Sequence, residues 1–516
     1  MTTPSLPQGA SFLLGDPAAI FTPEQFSSDD RMMVEVAERF CRERVLPNLE
    51  RLDKQEEGLM PALIREAGEL GLCGVDSPDA FGGLGMGKNL AARILEFMSL
   101  DGGFSVTYGI TSGISQVGLS LFGTEAQKAA YLPALTSGEM LGAYALSEPN
   151  SGSDALSATT RADRVEGGFR LNGTKMWISN AKWAGLFLTM AKVDGERFSA
   201  FLVERDRLGV SISREEHKMG LKGSSTARLV LEDVFIPDEN LLYEEGKGHH
   251  VAFNALNLGR FKLASMSIGP ARRAIELAAI YAQERKQFGR AIAEFGLVRQ
   301  MLARAAAIFY VAESMTYRTG ALMDGAFEAF GGTVDGNRLA AEMYALEASA
   351  TKVFASEAEG LIVDDCLQVF GGYGFTEEFP IARIYRDARV SRIYEGTNEI
   401  NRIYIADRLR KKHPGLVAEA KGSFVAELLS RMPDPGADQV AQGALADLVI
   451  LTYAEQSARL RGDEELYGMA IPILNAQAAA AYQTATGESV TLPPIAKPPV
   501  DAVANRVLAG ELPSPA

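Results

Sequence analysis

Residues 167–179 read GGFRLNGTKMWIS. Asn172-Gly173 stands between two segments of alternating apolar and polar residues, which predicts a β-hairpin turning at that pair. LFLTMAKV (186–193), FSAFLVE (198–204), GVSIS (209–213) and TARLVLEDVFI (226–236) follow as short β-type runs with turns between them. Together they predict a β domain of about 100 residues, a small β-barrel or sandwich.

On either side the pattern is helical. SSDDRMMVEVAERF (27–40) opens with capping residues, and Met33, Val36, Phe40 and Val45 recur near helical spacing. FGGLGMG (81–87) is glycine-rich but does not fit GxGxxG and follows no predicted strand, so it reads as a loop. Downstream of His250, the 4-3-4-3 spacing of Leu339, Met343, Leu346, Ala350 and Val353 predicts one long bundle helix. His413-Pro414-Gly415 and MPDPG (432–436) break the chain before two further helices, expected at 439–461 and 464–484. The fold class is α+β multidomain. A surface arm (1–28) precedes an all-α domain (29–142), the β domain (143–249), a four-helix bundle (250–412) and an additional helical segment (413–516).

A net charge of −15 over 516 residues argues against nucleic acid or anionic membrane as a general partner. The last segment, with six basic and twelve acidic residues, offers no polybasic membrane anchor. Cys41, Cys73 and Cys366 are isolated, which argues against a disulfide framework or a thiolate zinc site. No metal site is expected at His249-His250. No basic residue precedes Arg31 and no run of 18 apolar residues occurs, so neither a leader nor a membrane segment is expected, and the cytoplasm is the expected location.

Five loops carry chemistry: AYALSEPNSGSD (143–154), KMWISN (175–180), ERKQFGR (284–290), QVFGGYGF (368–375) and RIYEGTNEI (392–400). Ser147 and Ser153 offer hydroxyls beside a glycine. Trp177 is either a core indole or a wall for a flat cofactor. Arg285 is either a solvated cation at a helix end or a planar fork for a pyrophosphate. Glu395 sits where a helix begins, with Thr397 or Asn398 as its N-cap, and is either a cap neighbour or a base.

In this order and at these separations the loops resemble the acyl-CoA dehydrogenase family of flavoproteins, over residues 30–412. NLGRF (257–261), FGLVRQ (295–300) and the C-terminal addition make the very-long-chain branch the nearest likeness. The resemblance implies FAD as cofactor. It implies that Tyr144, Leu146, Ser147, Trp177, Ser179, Thr397 and Glu399 border the flavin. Arg285, Gln287, Phe288, Gln368, Gly371 and Gly372 would reach the FAD of a neighbouring subunit. Ser153, Asn257, Arg260, Tyr394 and Gly396 would meet an acyl-CoA, and Glu395 would remove its α-proton while the β-hydrogen leaves as hydride to the flavin. The alternative place for the base in some relatives falls here on Gly259. Ser115 and Gly118, in GITSGISQVG (109–118), read either as room for a long acyl tail or as close helix packing. His249-His250 departs from the Phe-Lys pair common in the family. The implied activity is oxidation of a medium- to long-chain acyl-CoA to trans-2-enoyl-CoA in fatty-acid β-oxidation, with electron-transfer flavoprotein as acceptor. A homodimer is expected, because the added C-terminal segment would occupy the face that most relatives use to form tetramers, with a tetramer as the alternative. Acyl-CoA oxidase and a non-catalytic flavin-binding scaffold are the alternatives.

Overall fold

The computed structural model describes residues 6–514. Eight strands form one sheet: β1 (Leu141–Ala145), β2 (Arg161–Val165), β3 (Gly168–Ser179), β4 (Ala184–Val193), β5 (Arg197–Glu204), β6 (Val210–Ile212), β7 (Thr226–Pro237) and β8 (Leu241–Leu242). Their order is β6-β7-β3-β2-β4-β5-β8, with β1 parallel to β4. Among the described residues no pairing joins β6 to β8, so closure into a barrel is not observed. Phe169, Leu171, Phe187, Phe201, Leu229 and Ile236 fill its core, with Phe169 and Phe201 edge to face at 5.0 Å.

The hairpin does not turn at Asn172-Gly173. β3 runs straight through that pair, and the turn falls at Glu166-Gly167, where Val165 pairs directly with Gly168. Asn172-Gly173 is instead an irregularity in the β3–β7 ladder, and Asn172 Oδ1 accepts the Asp233 amide at 2.8 Å. Glycine is needed there because a Cβ on residue 173 would lie 2.4 Å from Thr160 Oγ1.

The chain divides into two compact units. One comprises Met32–Lys262 and Phe327–Glu342 and contains the sheet. Asp101 caps the Gly102–Gly109 helix, and Thr124 forms a capping box with Gln127 at the start of Glu125–Thr136. Buried Asn180 joins the Gly102–Gly109 helix and the turn after it to the sheet. Its Nδ2 donates to Gly142 O at 3.0 Å and to Thr107 O and Thr111 Oγ1 at 3.2 Å each. The Ser28–Phe40 helix buries Val34, Ala37 and Phe40; of the expected seam, Phe40 and Val45 are buried and Met33 and Val36 half-buried.

The other unit comprises the chain up to Arg31, Leu263–Ala326 and Met343 onward. The predicted long helix over 335–370 is broken at Tyr344 (φ −109°, ψ 28°) into Val334–Met343 and Ala345–Phe370. Leu339 is exposed rather than part of a buried seam. The helices Gln439–Arg461 and Glu464–Thr486 form as expected but belong to the core rather than lying on it. Tyr453 Oη meets Thr319 Oγ1 at 2.9 Å, and Arg461 and Arg272 meet the fully buried Glu313 at 2.8 and 2.9 Å. The N-terminal arm is also part of this core. Phe12 and Leu13 are buried, and the Ala10 amide donates to Glu347 Oε1 at 2.6 Å. Its apolar side chains outweigh the Pro/Gly punctuation that suggested a surface strap. Among the described residues no helix is long and apolar enough to cross a membrane.

Candidate active site

β1 ends in the loop 146–154, and a buried ion pair fixes that loop to β3. Lys175, wholly out of solvent, donates to Glu148 Oε1 at 2.7 Å and to Leu146 O at 3.1 Å. Glu148 also accepts from Thr159 N (2.6 Å), Thr159 Oγ1 (2.8 Å) and Thr160 N (3.0 Å). Burial works against its charge, but Lys175 and these donors hold the carboxyl down at about 2. The Met176 amide donates to Ser147 O at 2.8 Å, so Leu146 and Ser147 are tied by backbone and ammonium to the strand bearing Trp177 and Ser179. The sequence marks neither Glu148 nor Lys175 as a site residue. A glutamate and a lysine 27 residues apart carry no pairing signal.

The β3–β7 register shifts between Lys175 and Ile178, and Trp177 occupies that break with φ 57°. Its indole is 57% exposed. The core reading of this tryptophan is excluded: an uncovered aromatic plane at a strained strand position suits a flat heterocyclic ligand. Tyr144 is half-buried and Ser153 exposed.

Asn257 and Arg260 share one helix, Gly248–Glu284, and Arg260 Nη1 donates to Asn257 Oδ1 at 3.2 Å; both are nearly buried. Ser115 and Gly118 resolve differently from the open-pocket reading. The Ser115 hydroxyl bonds back to Ile110 O at 2.6 Å, and a Cβ on Gly118 would lie 2.6 Å from Leu188 Cδ2. Gly118 packs against Leu188 of β4, and Ser115 against Gly142 of β1.

In the bundle unit, Glu395 takes φ 57° and Gly396 φ 81° immediately before the Asn398–Lys412 helix. Thr397 is its N-cap, accepting the Ile400 amide at 3.3 Å. The Gly396 carbonyl receives two donors, Lys352 Nζ at 2.9 Å and Asn401 Nδ2 at 2.8 Å. Half-buried Tyr394 has its phenol pushed far above the ordinary range, first by burial and then by the charges of Glu359 and Glu395. Glu399 is exposed, its carboxyl lowered by the helix-start amide and the Thr397 hydroxyl.

Arg285, Gln287 and Phe288 lie on a two-stranded ribbon, Lys286–Gln287 against Arg290–Ala291. Phe288 is 94% exposed at φ 53°. Arg285 stands over the Tyr373 ring at 5.4 Å, which brings the ribbon beside Gly371 and Gly372. Neither glycine has an atom within 4 Å of where a Cβ would be, and Gln368 is exposed on the preceding helix.

Family models describe three consecutive stretches: "Acyl-CoA dehydrogenase, N-terminal domain" over residues 27–139, "middle domain" over 143–234 and "C-terminal domain" over 246–410. The chain belongs to the acyl-CoA dehydrogenase family. A probable acyl-CoA dehydrogenase of Bacillus subtilis is 44% identical over 84% of this chain and 75% of its own. The human mitochondrial very long-chain specific acyl-CoA dehydrogenase is 41% identical over 66% of this chain, which spans about half of that relative's length (51%). A Bacillus anthracis acyl-CoA dehydrogenase, solved in complex with FAD, superposes with a TM-score of 0.90 at 38% identity and covers 98% of this chain and 99% of its own. Butyryl-CoA dehydrogenase from Megasphaera elsdenii superposes over 75% of this chain and 99% of its own, at a TM-score of 0.69 and 30% identity. The last family stretch stops at residue 410, so the C-terminal segment has its counterpart in the Bacillus anthracis structure rather than in the three-domain family model.

The residues fit FAD on two features of this structure. Trp177 presents an uncovered aromatic plane, and the Arg285–Phe288 ribbon with Gly371-Gly372 presents a cation and approachable backbone.

Proposed function

We propose that this protein is an FAD-dependent acyl-CoA dehydrogenase that oxidises medium- to long-chain acyl-CoA to trans-2-enoyl-CoA in fatty-acid β-oxidation, with Glu395 as the base. The observation that carries the assignment is the Glu395-Gly396 joint. A non-glycine residue in the left-handed region costs of order 1–3 kcal/mol and persists only where its surroundings impose it. Here the neighbouring carbonyl is held by two side-chain donors. A structure that spends strain to aim one carboxylate suits a group that must meet a single C–H bond.

FAD, when bound, supplies the acceptor for the hydride that leaves the β-carbon. The remaining work belongs to the chain. The Glu395 carboxylate takes the α-proton, and hydrogen bonds to the thioester oxygen stabilise the charge that develops as it leaves. Tyr144, Leu146, Ser147, Trp177, Ser179, Thr397 and Glu399 are assigned to the flavin of the same subunit. Arg285, Gln287, Phe288, Gln368, Gly371 and Gly372 are assigned to the FAD of a second copy. That assignment matches their exposure in a single chain and makes the working form a homodimer or a tetramer. Ser153, Asn257, Arg260, Tyr394 and Gly396 are assigned to the substrate. Electron-transfer flavoprotein is the proposed acceptor and the cytoplasm the proposed location. The preference for longer chains rests on the very-long-chain relatives.

The test is anaerobic mixing of FAD-loaded protein with acyl-CoAs of increasing length while flavin absorbance is followed. Wild-type protein bleaches. Glu395→Gln binds the acyl-CoA but bleaches about 10²- to 10⁴-fold more slowly, the usual worth of a general base. A normal bleaching rate in that variant refutes the assignment. Peroxide formed in air by wild-type protein identifies an oxidase instead.

A further inference from the structure

We propose that a hydrogen-bond relay rooted in the C-terminal segment, and buried only at its inner end, positions the base, with Lys352 as its central positioning residue; this rests on Glu395 being that base. The relay runs Asp447–Arg402–Glu357–Asn398–Lys352 and ends on the Gly396 carbonyl, one residue from the carboxylate.

Lys352 lies on the Ala345–Phe370 helix with no solvent exposure. An ammonium group taken out of water is strongly disfavoured unless acceptors replace its hydration. Its Nζ donates to Gly396 O at 2.9 Å and to Asn398 Oδ1 at 2.7 Å. With Asn401 Nδ2 on the same carbonyl at 2.8 Å, both lone pairs of Gly396 O are used. The peptide plane that follows Glu395-Gly396 is thereby gripped from two elements.

Asn398, itself 2% exposed, is held in turn. Its Nδ2 donates to Glu357 Oε1 at 2.9 Å and to Ser356 Oγ at 3.1 Å. Arg402 grips both Glu357 oxygens at 2.8 and 2.9 Å, the paired geometry that gives an arginine its directional hold. Its remaining edge, Nε, donates to Asp447 Oδ1 at 2.7 Å. Asp447 belongs to the Gln439–Arg461 helix of the segment that the three family models do not cover. That segment thus has a direct line to the joint that bears the base. The outer end of the line opens on a cavity of about 370 Å³ lined by Glu357, Arg402, Asp447 and Leu474, so Asp447 stands at the edge of the packed core rather than within it.

A relay that only stabilised the fold would leave the chemical step alone once the protein was folded. Misplacing a reacting group by about 1 Å costs on the order of 10² in rate. The experiment uses full-length, FAD-loaded Lys352→Met, Asp447→Ala and Glu395→Gln, and measures flavin content, KM and the rate of flavin reduction at saturating acyl-CoA. Lys352→Met keeps the length of the side chain and removes its donors. It is expected to retain flavin, to keep KM within about threefold, and to reduce the flavin about 10- to 100-fold more slowly. Asp447→Ala is expected to slow the same step by a smaller factor. A Lys352→Met protein with full flavin and a wild-type reduction rate overturns the relay. Where Lys352→Met fails to fold, Asp447→Ala decides: a slowed reduction step at unchanged KM supports the relay, and a wild-type rate overturns it. Wild-type reduction in Glu395→Gln overturns the base assignment instead, so the two failures are distinguishable.

Discussion

Replacing Lys175 by Met removes the cation from the pair that fastens the loop 146–154 to β3, and the cost can be worked from the contacts. Glu148 falls from 4.5 to about 2 on folding, which at ~1.36 kcal/mol per unit is worth about 3 kcal/mol. Lys175 moves the other way. Burial outweighs Glu148 and lowers it from 10.5 to about 8, a penalty of similar size. The two partners therefore disagree about the value of the bond, and both describe one situation. The intact pair is close to neutral overall, while either member alone is stranded.

After Lys175→Met, Glu148 keeps only its three donors from Thr159 and Thr160. The expected loss is about 3 kcal/mol, the low end for a broken buried pair. Glu148→Gln leaves the ammonium facing a neutral amide oxygen and Leu146 O with no counter-ion, and costs about 3–5 kcal/mol. The double variant Lys175→Met/Glu148→Gln recovers about 2 kcal/mol or more of the summed loss. Trp177 and Trp183 are the only tryptophans and both lie in or beside the sheet, so urea unfolding followed by indole fluorescence reports this region directly. The pH dependence has a definite sign. The contribution of Glu148 is complete above pH 4.5 and is lost as pH falls from 4.5 towards 2, whereas the Lys175 penalty is relieved as pH rises from 8 to 10.5. Glu148→Gln lacks the acid limb. Flavin content falls in both single variants and returns in the double. A Lys175→Met protein destabilised by less than about 1 kcal/mol refutes this reasoning.

Glu359 offers a second pH test. It is nearly buried, accepts the Ser391 hydroxyl at 2.6 Å, and is raised by burial from 4.5 to about 8. A raised carboxyl weakens the fold as pH climbs through that interval, by at most about 5 kcal/mol. Glu359→Gln is expected to show a flatter thermal midpoint between pH 5 and 8, and parallel wild-type and variant curves contradict this. Gly142→Ala would set a Cβ 2.3 Å from Ser115 Oγ, where helix Ser115–Phe122 meets β1. The expected cost is about 1–3 kcal/mol by overpacking, recovered by adding Ser115→Gly. An additive double variant in urea unfolding excludes the clash.

What could be read from the sequence was local chemistry. RIYEGTNEI predicted a helix start behind a turning glycine, and Thr397 is the N-cap there. The helices Gln439–Arg461 and Glu464–Thr486 follow their breakers closely. What could not be read was the choice between two local answers that only tertiary contact decides. Glu166-Gly167 and Asn172-Gly173 are both acceptable turns by composition. The close approach of Thr160 made the second a strand irregularity and left the turn to the first. Ser115 and Gly118 read equally as pocket or packing until Leu188 occupies the space. The arm reads as a strap until Phe12 and Leu13 find a core. Buried charges were the hardest class. Glu148, Lys175, Lys352 and Glu359 are types that composition assigns to solvent. Each is tolerable inside only because partners from 11 to 46 residues away complete its hydrogen bonds. A base is visible in its own loop, but the residues that aim it are not, because positioning is a property of distant acceptors. Candidate positioning residues in a chain of this kind are therefore best sought among its fully buried lysines and carboxylates, ranked by whether their partners lie on the backbone of a strained loop. By that criterion Lys352 stands ahead of Lys175, whose acceptors, Glu148 Oε1 and Leu146 O, lie on residues without a left-handed backbone.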